Sequence, residues 1–263
     1  MEEQPKGVGV SKTNAHENED LGQKGLRPAS AFLTTQWNMV RQAADSCSPQ
    51  TDHALELVCR NYWYPLYAFA RRFGKNHEDA KDLTQGFFHF LISGDAFKKA
   101  NPELGRFRTF LLSSFKNFIL KDHRDATRIK RGGAVSHVSM EWDEAEGRYA
   151  HEPQDDLTPE RLFDRNWARL MMNSTFSRLQ DEYRDSNEQD RFEALRFALE
   201  DPGALAYAEV ASDLGLSEAG VKSAVHRLRR RFRELFREIV AESLDDPRLV
   251  DQELKHIVQS LNS

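Results

Sequence analysis

Residues 207–236 read YAEVASDLGLSEAGVKSAVHRLRRRFRELF. Val210, Ala211 and Leu214 give a short apolar face, and Gly215 then falls where a tight turn between helices needs a positive φ. Leu216 is placed to plug the corner. Ser217 is a ready cap for a second helix, with Glu218 favourable in its first turn. From there Val221, Val225, Leu228, Phe232 and Leu235 recur at helical spacing. A small residue at Ala211, a glycine four positions on and these apolar anchors predict a helix-turn-helix. Its second helix leaves Lys222, Ser223, His226, Arg227 and Arg230 pointing outward. Between Val221 and Arg237, seven Lys or Arg stand against Glu234 alone, the excess positive charge that a helix resting on phosphates requires.

Upstream, Thr158 before Pro159 makes an N-cap and first-turn pair, and Phe163, Trp167, Leu170 and Met171 follow as one stripe. RFEALRFALE predicts a further helix, ended by Asp201-Pro202-Gly203. A helical domain is therefore expected over 158–244, with the helix-turn-helix at 207–236. Beyond it, residues 245–263 form an amphipathic tail with Val250, Leu254, Ile257 and Leu261 on one face, expected to pack back onto that domain. Before it, residues 132–157 lose the helical period. Seven acids face one arginine between Glu141 and Asp156, the pattern of an acidic flexible linker.

Residues 31–131 return to helical periodicity. Leu55, Val58 and Tyr62 lead into YWYPLYAFARRFG, where Leu66, Ala70 and Phe73 continue the face and Gly74 stops it. HEDAKDLTQGFFHFLI opens the next helix with acids in its first turns, and Leu83, Phe87, Phe90 and Leu91 as its stripe. After NPELG, the segment GRFRTFLLSSFKNFILKDHRDATRIKR gathers Phe107, Leu111, Phe115 and Phe118 on one side. Thr109, Lys116, Asn117, His123 and Arg124 fall on the other, with Leu120 among them. The phenylalanines are thus assigned to a core. Residues 1–30 hold no aromatic and no period, so a disordered tail is expected. With no strand run anywhere, the fold class is all-α: two helical domains joined by the acidic linker.

The 263 residues carry 30% charged and 39% hydrophobic side chains and a net charge of −5. Any nucleic-acid contact must therefore come from local basic patches. Cys47 and Cys59 form neither a metal-ligand pattern nor a disulfide framework, which fits a reducing compartment. No apolar run approaches the roughly 20 residues of a membrane span, and no signal-peptide core precedes the chain. A cytoplasmic protein without cofactor or metal is expected.

The segments DAKDLTQGFF, GRFRTFLLSSFKNFI and YAEVASDLGLSEAGVKSAVHRLRRRFREL, in that order, resemble the bacterial sigma-70 family of RNA polymerase initiation factors, in its compact two-domain extracytoplasmic-function form. The resemblance covers roughly Phe32 to Leu261. It implies that 31–131 is a region 2-like domain that binds the polymerase clamp and the melted −10 element. It likewise implies that 158–244 is a region 4-like domain that docks on the polymerase flap and reads the −35 element. By position, Asp79, Asp82 and Gln85 face the clamp. Lys116, Asn117, Lys121, His123, Arg124 and Arg128 match the −10 surface, with Lys130 and Arg131 on phosphates beyond. Lys222, Ser223, His226, Arg227 and Arg230 match the −35-reading positions. The chain departs from the family in two places. Gly86 stands where many relatives carry Glu, and LRFALEDPGALAYAEVA is a longer approach to the bihelix than usual.

The implied partners are core RNA polymerase, at its clamp and flap, and promoter DNA; an anti-sigma factor or another regulator is left open. The acidic linker could occupy the basic channel later used by nucleic acid, or simply keep the chain soluble. The implied function is a non-enzymatic sigma factor. A free-standing helix-turn-helix regulator is the alternative, but it leaves the first domain unexplained. A nuclease using Asp79 and Asp82 as metal ligands lacks a third convergent acid.

Overall fold

A computed structural model describes residues 49–93, 106–125, 142–152, 157–200, 206–244 and 246–262; for 49–55, 92, 93, 122–125 and 200 only the backbone is described. The predicted N-terminal tail and residues 132–141 and 153–156 of the predicted linker lie outside these ranges. Among the described residues every regular element is a helix, so the chain is all-α. The helices are α1 (Pro49–Arg72), α2 (His77–Ser93), α3 (Phe107–Asp125), α4 (Trp142–Ala150), α5 (Pro159–Asp185), α6 (Gln189–Leu195), α7 (Phe197–Glu200), α8 (Tyr207–Asp213), α9 (Glu218–Glu242) and α10 (Val250–Leu261). A 3-10 turn, Pro247–Leu249, leads into α10.

Local chemistry sets most of these boundaries. Gly74 ends α1 at φ +98°, where a side chain would be strained, and the Lys75 N–H reaches back to the Ala70 carbonyl at 3.1 Å. Asn76 then caps α2 by accepting from the Asp79 N–H at 2.8 Å. Thr158 caps α5 by accepting from the Arg161 N–H, with Pro159 in the first turn. Helix α1 runs through Pro65, which has no N–H to offer the preceding turn. The predicted helix over RFEALRFALE is two short helices, α6 and α7, that turn at Arg196.

Two apolar cores result. The first gathers Val58, Tyr62, Leu66 and Phe69 of α1, Phe87 of α2, and Phe107, Leu111 and Phe115 of α3. Each of these side chains contributes on the order of 1.5–3 kcal/mol by leaving water. Phe118 is only half-buried, and Phe90, placed by its period in the α2 stripe, is 43% exposed; it leans on Phe118 with ring centroids 5.8 Å apart. Gly86 faces this pair, since a Cβ there would come within 3.4 Å of the Phe118 ring. The glycine thus lets α2 and α3 approach closely. The second core holds Leu179 of α5, Phe192 and Leu195 of α6, Ala211 of α8, and Val221, Val225 and Leu228 of α9.

The two cores are bridged by single helices. α5 starts at the predicted domain boundary, yet Leu162, Phe163, Trp167 and Met171 in its first half lie in the first core. Leu179, further along the same helix, lies in the second. α9 does the reverse, with Val221 to Leu235 in the second core and Ile239 and Val240 in the first.

The expectation of a flexible linker is corrected for residues 142–150, which form α4. Trp142, Ala145 and Tyr149 make one apolar face at helical spacing that the surrounding acids obscure. Trp142 packs edge-on against Trp63 at 5.5 Å and lies 5.8 Å from Tyr67, and Ala145 is fully buried. Glu146 accepts hydrogen bonds from the Tyr67 hydroxyl and the Arg71 guanidinium. The acids of this segment thus include anchors as well as solvated charges.

The tail helix α10 turns its predicted face inward: Val250 and Ile257 are buried, and Leu254 and Leu261 are half-buried against the first core. Glu253 and Ser260 are buried beside them, Glu253 because it meets arginines rather than water. α10 packs on α5 and α9 and reaches α3 through that carboxylate.

Candidate nucleic-acid interface

The α8–α9 pair turns at Gly215, whose φ is +62°. The Ser217 side chain accepts from the Gly220 N–H at 3.1 Å, which starts α9 on the residue expected. The burial of Val221, Ala224, Val225 and Leu228 leaves Lys222, Ser223, His226, Arg227 and Arg230 all exposed on one face. The Lys222 ammonium sits 5.7 Å above the Tyr207 ring, a contact between the two helices. Arg230 makes a surface pair with Glu234 at 3.4 Å.

The basic excess of α9 divides into two populations that its sequence alone does not separate. Arg229 donates twice to the Ala198 carbonyl, at 3.0 and 2.7 Å. Arg231 makes a two-bond fork to Glu182, at 2.9 and 2.7 Å, and also reaches Glu238. Hydrogen bonding to Glu182 holds the Arg231 guanidinium even more firmly protonated than usual, against the opposing effect of burial. Arg237 pairs with Asp251 of α10 at 2.6 Å. These three fasten α9 to its neighbours. Lys222, Arg227, Arg230 and Arg233 keep their charge exposed to solvent.

On α3, Phe107, Leu111, Phe115 and Ile119 turn inward, so Thr109, Asn117 and Lys121 are exposed. Lys116 is half-exposed and already partnered: its Nζ lies 2.5 Å from Glu160 at the start of α5 and 5.8 Å from the Phe69 ring. Its hydrogen bond is the main reason the Glu160 carboxyl lies below its ordinary range. His123 and Arg124 belong to the last turn of α3, where only the backbone is described, and Arg128 lies outside the described residues. Leu120, 50% exposed, adds an apolar spot to this polar face.

On α2, Asp79 and Asp82 are exposed and Gln85 is half-buried, while Ala80, Leu83 and Thr84 face inward. The three predicted contact residues, spaced i, i+3 and i+6, therefore lie along one side of the helix.

Two buried ionic clusters escaped the sequence reading. Glu152, 6% exposed, lies 3.3 Å from Arg165 and accepts from Arg169 at 2.9 Å and from the Tyr64 hydroxyl at 3.2 Å. It ties the segment after α4 to α1 and α5. Glu253, fully buried, pairs with Arg108 and with Arg106 at 2.7 Å. Arg108 also lies 3.4 Å from Asp164 and 4.4 Å above the Trp167 ring. The available signal was the spacing of Arg108 to Leu111 and Phe115, which puts an arginine on the inward face of α3.

Residues 60–129, most of α1 and all of α2 and α3, match the family model of sigma-70 region 2. This segment is similar to sigma-70 region 2. No curated protein and no solved structure matches the chain. The match to region 2 ends before α4, so the α8–α9 pair rests on its own geometry. No helix among the described residues is long and apolar enough to cross a membrane.

Proposed function

We propose that the chain is a sigma factor of the compact extracytoplasmic-function type, which lends promoter specificity to core RNA polymerase. The observation that carries this reading is the match to sigma-70 region 2 at residues 60–129. In it, Asp79, Asp82 and Gln85 on one side of α2 meet the polymerase clamp. Lys116, Asn117 and Lys121 of α3, continued by His123, Arg124 and Arg128, receive the melted −10 strand. Stacked or pocketed bases contribute about 1–3 kcal/mol each, which helps offset unpairing.

The α8–α9 pair acts as a helix-turn-helix in the second DNA contact. Lys222, Ser223, His226, Arg227 and Arg230 enter the major groove of the −35 element, where lysine and arginine can address guanine edges. Supporting this, all five side chains are exposed while the apolar residues between them are buried.

Run-off transcription with purified chain, bacterial core polymerase and genomic promoter fragments tests the reading. Initiation that depends on both proteins is the expected result. Duplex binding without any effect on polymerase would instead favour a free-standing regulator, and cleaved DNA would favour a nuclease.

A further inference from the structure

We propose that Tyr207, at the start of α8, is a positioning residue: its ring directs the Lys222 ammonium of α9 onto a guanine of the duplex and so sets base selectivity at that pair. The inference deepens the helix-turn-helix reading above and rests on it.

The ring is fixed by its own domain. Tyr207 is half-buried and packs against the second core beside Val210 and Leu214, while Ala211, one turn further along α8, is buried in it. The Gly215 turn and the shared burial of Ala211, Val221 and Val225 then hold α8 against α9. Across that turn the Lys222 Nζ lies over the Tyr207 ring, 5.7 Å from its centroid. A cation within about 6 Å of a ring face is drawn to its electron-rich centre. Lys222 is thus steered by a group on the neighbouring helix, one that does not move when its own stem rotates.

The chemistry of that partner matters as much as its place. Arg231 and Arg237 of α9 end on carboxylates, Glu182 and Asp251, and Arg229 ends on the Ala198 carbonyl. Their donors are engaged inside the protein. Even the exposed Arg230 shares Glu234 at 3.4 Å. A ring face neutralises nothing, so Lys222 keeps its full charge and offers N–H donors to acceptors such as guanine O6 and N7. A lysine stem is flexible and its ammonium is a point charge. Undirected, it meets a phosphate as readily as a base edge, and a phosphate contact carries no sequence information. Directed by the ring, it loses less freedom on reaching one edge and finds fewer others within its range. The charge supplies affinity whichever way it points; the ring supplies the choice.

The test uses the full chain with core polymerase on −35 duplexes, taken from promoters it transcribes, in which each base pair is changed in turn. Lys222→Ala identifies the guanine pair whose discrimination depends on the lysine. Tyr207→Leu should weaken discrimination at that same pair about two- to five-fold, the loss of one exposed cation–π contact. The other pairs and the salt slope should stay as in wild type, since no charge is removed. Tyr207→Phe, which keeps the ring, should retain the discrimination, and in a Lys222→Ala background Tyr207→Leu should change nothing further. Tyr207→Met serves the same purpose should Tyr207→Leu not fold. Equal weakening at every pair, undiminished discrimination in the folded ring-less variants, or no pair that depends on Lys222 overturns the proposal. In the free chain the Cε protons of Lys222 should resonate upfield in wild type and Tyr207→Phe and not in Tyr207→Leu. Absence of run-off from the wild type defeats the sigma-factor reading instead; the same scan on duplex bound by the free chain, with the Lys222 signal, then decides the positioning.

Discussion

Replacing Arg227 and Arg231 of α9 by alanine, one at a time, should separate charges that meet phosphate from charges that hold the helix. Arg227 is exposed on the outward face, whereas Arg231 is forked onto Glu182. Each phosphate contact contributes about 0.9 unit to the slope of log affinity against log salt. Arg227→Ala should therefore flatten the slope by about 0.9, so that between 50 and 200 mM salt the variant loses about 3.5-fold less affinity than wild type. Arg231→Ala should leave the slope in place and lower thermal stability. Because Arg231 and Glu182 are each 37% exposed, that loss is held to the range of a solvent-screened pair, roughly 0.2–1 kcal/mol. The assay is fluorescence anisotropy of a −35 duplex titrated with the polymerase-bound chain across that salt range, beside thermal melts of the free chain. Equal flattening by the two substitutions, or none from Arg227→Ala, would refute the division of α9 into an outward and an anchored set.

Gly215→Ala places a Cβ at φ +62°, which should cost about 1–2 kcal/mol; a melt superimposable on wild type would show that the turn relaxes freely. Glu152→Ala leaves the buried Arg165 without its carboxylate and should destabilise by about 3–5 kcal/mol in urea unfolding, an outcome contradicted by an unchanged midpoint. For Glu146, burial pulls the carboxyl up but is outweighed by donation from Tyr67 and Arg71, so its folded pKa is lowered. The stabilisation it brings is then present above the unfolded value and lost as pH falls through the folded one. The difference in melting temperature between wild type and Glu146→Gln should accordingly be widest at neutral pH and close in acid, and a gap that stays constant with pH would count against the anchor.

What could be read from the sequence was what short-range chemistry decides. Gly215, Ser217 and the Val221–Val225–Leu228 spacing specify a turn, a cap and a buried face within a dozen residues, and the α8–α9 geometry follows them. Thr158 and Pro159 set the start of α5 in the same way. The partner of each helix face was not legible. Nothing local in α5 says that Trp167 meets region 2 while Leu179 meets α6 and α8, so a division at residue 158 looked natural. α4 was hidden for a related reason: seven acids outweigh the spacing of Trp142, Ala145 and Tyr149 when polarity is averaged. The Glu253 cluster is the extreme case. A binary pattern sends every charge outward, and a pairing between Arg108 and a carboxylate 145 positions away exists only once the chain has folded.

The same pairings reconcile the proposed nucleic-acid binding with a net charge of −5. Acids close to the two reading helices turn toward their own protein: Glu182 and Glu238 hold Arg231, Asp251 holds Arg237, and Glu253 holds Arg106 and Arg108. Every such pair is nearly neutral at a distance, so it contributes little to the field a duplex meets at about 8–10 Å of screening length. The arginines thereby withdrawn face neighbouring helices, while Lys222, Arg227 and Arg233 of α9 stay exposed to solvent. In the proposed function, selectivity for a groove comes from where charge is left facing solvent, and the overall balance of the chain is free to remain acidic.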